Sequence, residues 1–194
     1  MAGLRGLART VLCGVLACAL AACWTSQKPL LTDTNASSVG FAGKYRGKGE
    51  DAPTVLAIAS GGGTAYAFVD EKNERIPVRF LALGSEWYLL QYEIADGAED
   101  PDPAYMYQAI RRVGQDLYFY PSNCEDVAGD FRGLKRSNWA PGAADGPRET
   151  APRGSQTCTF SGLAGLKTVA RTYIAKVEKG AITASPSVLE RLGS

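Results

Sequence analysis

Hydrophobic residues recur along this chain at two periods. From Phe41 to Pro121 the period is two, in short runs broken by glycine, which predicts strands joined as hairpins. Runs over 54–60 and 64–70 flank Gly61-Gly62-Gly63. A three-residue loop there pairs Ile58 with Tyr66 and Leu56 with Phe68, leaving Ala57, Ala59, Ala65 and Ala67 on the opposite face. The same triplet in a phosphate cradle needs a helix after it, and the residues that follow are strand-like, so it reads as a turn.

Runs over 75–83 and 87–93 form a second hairpin across Gly84-Ser85, with Pro77 marking an edge or bulge. Trp87 and Tyr88 are adjacent and face opposite ways, so one of them must meet the helix or a second layer. Runs over 105–113 and 117–120 form a third hairpin, with Gly114-Gln115 suited to a type II′ turn. That turn sets Arg111 opposite Tyr118 and Ala109 opposite Tyr120. Tyr107 shares their face, and Tyr107, Arg111, Tyr118 and Tyr120 together make a surface able to stack a small ligand and meet an anionic group.

After Pro121 the pattern changes. Residues 123–137 suit a short helix around Val127 and Phe131, and 138–156 read as a surface loop. Leu163, Leu166, Val169, Ala170, Tyr173, Ile174 and Val177 then follow at helical spacing, with Ser161 as the expected N-cap and Gly180 as the stop. Residues 187–192 suit one further helical turn. The expected fold is α+β: an antiparallel, twisted sheet of about six to eight strands, an open sheet or a partial barrel, with a C-terminal amphipathic helix.

Histidine is absent from all 194 residues. This excludes Ser-His-Asp and Cys-His catalysis and the usual histidine-bearing zinc sites. Ser137 near Lys135 and Ser161 near Lys167 form no local Ser-Lys motif, so no catalytic site is assigned and no enzyme is expected. Asp96, Glu99, Asp100 and Asp102 offer oxygen ligands, yet their spacing matches no EF-hand and Pro101 and Pro103 restrict convergence; a solvated loop over 94–104 is expected, with no metal and no cofactor.

The N-terminus adds an address. Arg5 and Arg9 precede an apolar run over 10–22, too short to span a bilayer and of the length of a signal-peptide core. Its end, Leu20-Ala21-Ala22-Cys23, resembles the lipobox of bacterial lipoproteins. The resemblance implies cleavage of residues 1–22 as a signal peptide, diacylation (palmitate among the acyl chains) on Cys23, and a membrane partner held through that lipid. It further implies a cell-envelope location. Trp24 stands where aspartate resembles an inner-membrane retention signal, so the outer membrane facing the periplasm is favoured. Residues 23–40, rich in Ser, Thr, Asn and Pro, read as a lipidated flexible tether, with 41–194 as a single globular domain.

With Cys13 and Cys18 discarded and Cys23 lipidated, Cys124 and Cys158 remain, an even pair in an oxidising compartment. A disulfide is expected over a two-thiolate metal site. Removing 22 residues leaves 172, with 19 basic residues against 20 acidic, a net charge of about −1 that argues against a nucleic-acid partner. Gly43-Lys44-Tyr45 resembles the Gly-x-Trp start of lipocalins and related lipid-anchored β-barrels, with tyrosine in place of tryptophan. The composite expectation is a non-catalytic lipid-anchored envelope protein acting as an interaction or accessory module with an envelope protein as partner. The alternative is a lipocalin-like carrier of a small ligand on the tyrosine-rich face.

Overall fold

Side chains that alternate between two apolar environments carry this chain around a closed sheet. The computed structural model describes residues 24–48, 54–93, 105–131, 135–137 and 157–193. Strands β2 (Gly43–Gly47), β3 (Thr54–Ser60), β4 (Ala65–Val69), β5 (Arg75–Gly84), β6 (Trp87–Glu93), β7 (Tyr105–Val113) and β8 (Asp116–Tyr120) pair successively as an antiparallel meander. Strand β11 (Ser187–Arg191) then pairs with β8 on one side and β2 on the other. The result is an eight-stranded closed barrel, where an open sheet or partial barrel was expected.

Eight strands enclose a space about wide enough for side chains to fill. Here aromatic rings fill it. Phe80 takes Phe41, Tyr66 and Phe68 edge-on at centroid distances of 5.0, 5.3 and 6.2 Å. Tyr45, Leu90, Ile110, Leu117 and Leu189 belong to the same buried cluster.

A second core lies outside the barrel. Strand β1 (Trp24–Ser26) pairs with β7 and, in parallel, with β10 (Thr157–Thr159), which pairs in turn with β9 (Lys135–Ser137). The short helix α1 (Glu125–Ala128) and the long helix α2 (Leu163–Glu178) cover β5–β7 from outside. Every member of the helical stripe read from the sequence lies in or against this outer core. Gly162, in extended backbone, occupies the N-cap in place of Ser161. The helix ends with Ala181 N–H on Lys176 C=O and Gly180 N–H on Val177 C=O, a Schellman closure. Trp87 faces the helix and Tyr88 the barrel interior, so β6 is packed on both sides as its adjacent aromatics require.

Further expectations are corrected. The β3–β4 register pairs Ala57 with Phe68 and Ala59 with Tyr66, one residue from the expected alignment. A one-residue slip flips every side chain to the other face. The barrel prefers it because small alanines leave inward room for the two rings, while Leu56 and Ile58 turn outward. Residues 187–191 form a strand, since β8 and β2 both present open edges that a helical turn would leave unpaired. Residues 24–40 are a belt built into the fold, where a flexible tether was expected. Trp24 and Leu31 are fully buried, Ser37 N–H bonds Phe80 C=O at 2.8 Å, and Val39 enters the barrel core.

The β5–β6 turn uses Ser85-Glu86 at φ 49° and 66°, not Gly84-Ser85. Arg112 compensates by gripping Glu86 with two side-chain bonds (2.6 and 3.0 Å) and one backbone bond (2.8 Å). The Arg112 guanidinium holds the Glu86 carboxyl below the usual carboxylate range. Pro77 pairs with Ala67 of β4 one residue beyond the β5–β6 ladder, which begins at Val78, so its missing donor falls outside that ladder. The Gly114 turn forms as expected, with Gly114 at φ 63° supplying the positive angle a two-residue hairpin needs.

Candidate functional site

The described residues begin in a strand at Trp24. Trp24, next in sequence to Cys23, sits in β1 between Tyr107 of β7 and Cys158 of β10. Its indole packs edge-on to Tyr173 at 5.4 Å and to Phe160 at 6.5 Å. Its Nε1 is buried without a hydrogen-bond partner, a cost of about 1–3 kcal/mol that the surrounding apolar contact outweighs. Adjacent Cα atoms are about 3.8 Å apart, so a lipid on Cys23 would be joined to the barrel without a spacer.

The belt is locked by a buried polar cluster around Tyr107. The Tyr107 hydroxyl donates to Gln91 Oε1 (3.0 Å), accepts from Leu30 N–H (3.0 Å) and shares a 2.7 Å bond with Ser26 Oγ. Gln91 holds Leu31 by both its N–H and its C=O, at 2.7 and 3.0 Å. Burial pushes the Tyr107 phenol above its ordinary value, and the bonds to Ser26 and Leu30 only moderate the shift.

Cys124 and Cys158 form a disulfide with Cα atoms 5.2 Å apart. It ties the exit of β8 to β10, the in-register neighbour of Trp24. Lys176 reinforces the same corner through Asp126 C=O (2.9 Å) and the Asp130 carboxylate. Tyr173 donates to Pro121 C=O at 2.6 Å, and burial raises its phenol strongly.

The four residues read as a ligand surface all lie on the outer face, in the expected register, with Arg111 opposite Tyr118 and Ala109 opposite Tyr120. The structure joins Arg111 and Tyr120 through Trp87: the guanidinium lies 5.6 Å above the indole, and the Tyr120 ring packs 4.8 Å from it. Trp87 Nε1 donates to Glu178 at 2.9 Å, so this group fastens the end of α2 to the barrel. Tyr107 is separated from them, 2% exposed beneath the belt. Tyr118 is half-buried beside Val188 of β11.

Gly43, Lys44 and Tyr45 open strand β2 in the barrel wall. Tyr45 points inward and donates to Phe41 C=O at 2.9 Å, and burial pushes its phenol up. Arg191 crosses from β11, donating to Ala42 C=O at 2.8 Å, while its backbone N–H bonds Asp116 Oδ1 at 2.9 Å. A Cβ on Gly43 would stand 2.9 Å from Arg191 Nε, so a larger residue there would push the guanidinium from its place.

Sequence reasoning missed an open cavity of about 240 Å³ on the far side, lined by Lys44, Thr54, Leu56, Val69, Asp70 and Glu71. Asp70 is 9% exposed; its Oδ1 accepts from Lys72 N–H and Glu74 N–H (2.9 and 2.8 Å), while its buried Oδ2 accepts no bond. The turn at Asp70–Asn73 and the pairing that brings Lys44 and Leu56 beside it were both unread in the sequence.

Among the described residues no cluster of three metal-ligating side chains occurs, and no helix is long and apolar enough to cross a membrane. The acidic segment 94–104 and residues 1–23 lie outside the described residues. No family model, no curated protein and no solved structure matches this chain.

Proposed function

We propose that this protein is a non-catalytic, lipid-anchored lipoprotein of the bacterial cell envelope, serving as an interaction module held at the membrane by Cys23. The observation that carries the reading is the Cys124–Cys158 disulfide. Once Cys13, Cys18 and Cys23 are assigned to the signal and the lipid, every remaining thiol is bonded, as an oxidising compartment requires. The outer membrane facing the periplasm is the location favoured by Trp24 after the lipobox. The ring-filled barrel axis supports a surface-acting module over a carrier with ligand inside the barrel.

The test is expression of the full chain from its own signal in a bacterium with an outer membrane, followed by detergent-phase partitioning. The wild-type chain is expected in the detergent phase and Cys23→Ala in the aqueous phase. Wild-type protein recovered from the cytosol with two free thiols contradicts the proposal.

A further inference from the structure

The turn after β4 leaves one carboxylate oxygen unexplained. Asp70 opens that turn: its backbone N–H bonds Glu74 C=O at 3.1 Å, and its C=O accepts from Asn73 N–H at 3.0 Å. Its side chain completes the turn through one oxygen, Oδ1, which accepts from Lys72 N–H and Glu74 N–H at 2.9 and 2.8 Å. An asparagine carbonyl would make the same two bonds, so the turn accounts for neither the second oxygen nor the charge. Oδ2 is buried without a partner, and Asp70 as a whole is 9% exposed. Such an oxygen carries a standing desolvation cost, which a donor brought by a ligand would remove.

Asp70 lies in the wall of the open cavity of about 240 Å³, and the ladders set the order of that wall. Lys44 of β2 pairs with Leu56 of β3, and Leu56 with Val69 of β4, the residue before Asp70. Two strand spacings, about 10 Å, therefore separate the backbone of the cation from the strand that leads into Asp70 and Glu71. Leu56 and Val69 lie between them as an apolar floor. Lys44 is exposed and pairs with no carboxylate among the described residues. Glu71 is also exposed, and its Oε1 accepts from Thr54 N–H at 3.3 Å.

The wall is mixed in charge, and its signs are sorted: carboxylates at the turn, an ammonium across β3. A purely anionic or purely cationic ligand would satisfy one end and oppose the other. Among the described residues no third metal-ligating side chain joins Asp70 and Glu71, so the wall suits an N–H donor better than a metal ion. The volume falls below the roughly 300–1,000 Å³ of pockets for drug-sized ligands, which sets the ligand at the size of one amino acid.

We infer that this cavity binds a small aliphatic α-amino acid. The ammonium donates to the free oxygen of Asp70 with Glu71 beside it, the carboxylate meets Lys44, and the side chain lies on Leu56 and Val69. The site is separate from the tyrosine-rich face, and it goes beyond the anchored-module reading without depending on it.

The purified full chain is titrated by calorimetry with L-valine and L-leucine at about pH 6, where an α-amino group is charged. Binding of at least one is expected. Its N-acetyl form, which lacks the ammonium, and its methyl ester, which lacks the carboxylate, are each expected to bind about tenfold or more weakly. Asp70→Asn keeps both turn bonds and replaces the free acceptor by a donor, so it is expected to lower affinity about tenfold or more with little change in urea midpoint. Lys44→Met, at an exposed position, is expected to bind the amino acid no better than its ester. No binding of either amino acid to the wild-type chain overturns the inference. So does equal affinity for the amino acid and either blocked form, or affinity unchanged in Lys44→Met or in folded Asp70→Asn. If Asp70→Asn fails to fold, Lys44→Met and the two blocked forms decide.

Discussion

The indole of Trp24 meets the ring of Tyr173 edge-on, with centroids 5.4 Å apart and planes at 88°. Through this contact the first strand, the long helix and the exit from β8 are fixed at one point, because the Tyr173 hydroxyl also holds Pro121 C=O. A segment whose composition reads as linker thus begins on a fully buried tryptophan. Burial of one large ring outweighs the low hydrophobicity of its neighbours, and the belt follows it around β7, β6 and β5.

Trp24→Ala is expected to destabilise the fold by about 3–5 kcal/mol, the usual cost of a large ring deleted from a core. Trp24→Phe is expected to cost less than half as much, since it keeps an edge for Tyr173. Urea unfolding of both variants, monitored by circular dichroism, measures the difference. Two variants as stable as the wild type would mean that the belt does not contribute to the fold.

The disulfide closes a loop of 34 residues in sequence. In the chain-entropy picture this stabilises by about 3–4 kcal/mol. Intact mass after alkylation is expected to rise only when reductant is present, and the reduced protein is expected to unfold at lower urea. Alkylation of both cysteines without reductant contradicts the bond.

Barrel closure is expected to depend on Leu189, buried on β11 between β8 and β2. Leu189→Ala is expected to cost about 2–5 kcal/mol, and Glu190→Ala, its exposed neighbour, within about 0.5 kcal/mol. Equal small effects at both positions in thermal unfolding would show that β11 does not close the sheet.

Alkaline pH is expected to unfold the protein early. Burial raises Tyr45, Tyr107 and Tyr173 above the ordinary value of 10.0. The unfolded chain therefore loses these protons first as pH rises. Their contribution is complete below about pH 10 and is lost as pH climbs from there through the folded values. Urea midpoints are expected to be level from about pH 8 to about pH 9.5 and to fall above about pH 10.5. A flat midpoint up to about pH 11.5 contradicts the burial of these phenols.

What was legible in the sequence followed local periodicity. The stripe from Leu163 to Val177 announces its helix because 3.6-residue spacing is contained within the segment, and Gly114-Gln115 announces its turn for the same reason. The opposite facing of Trp87 and Tyr88 also revealed a sheet covered on both sides. The rest depended on partners far away in the chain. Residues 187–192 read as a helical turn, and only the two edges left by β8 and β2 make 187–191 a strand. The β3–β4 register depended on how much room the Phe80 rings leave inside the barrel. The row Lys44–Leu56–Val69–Arg75 exists only once three ladders are aligned, so no local spacing disclosed it.

The claim that organises all of this is attachment at Cys23, directly against the buried Trp24. Cells expressing the full chain are grown with labelled palmitate, and the purified protein is read by autoradiography and by the mass of its N-terminal peptide. The account predicts label on the wild-type chain, a mature N-terminus at acylated Cys23, and no label on Cys23→Ala. Label persisting in Cys23→Ala, or a wild-type chain that begins elsewhere and carries no lipid, would contradict it.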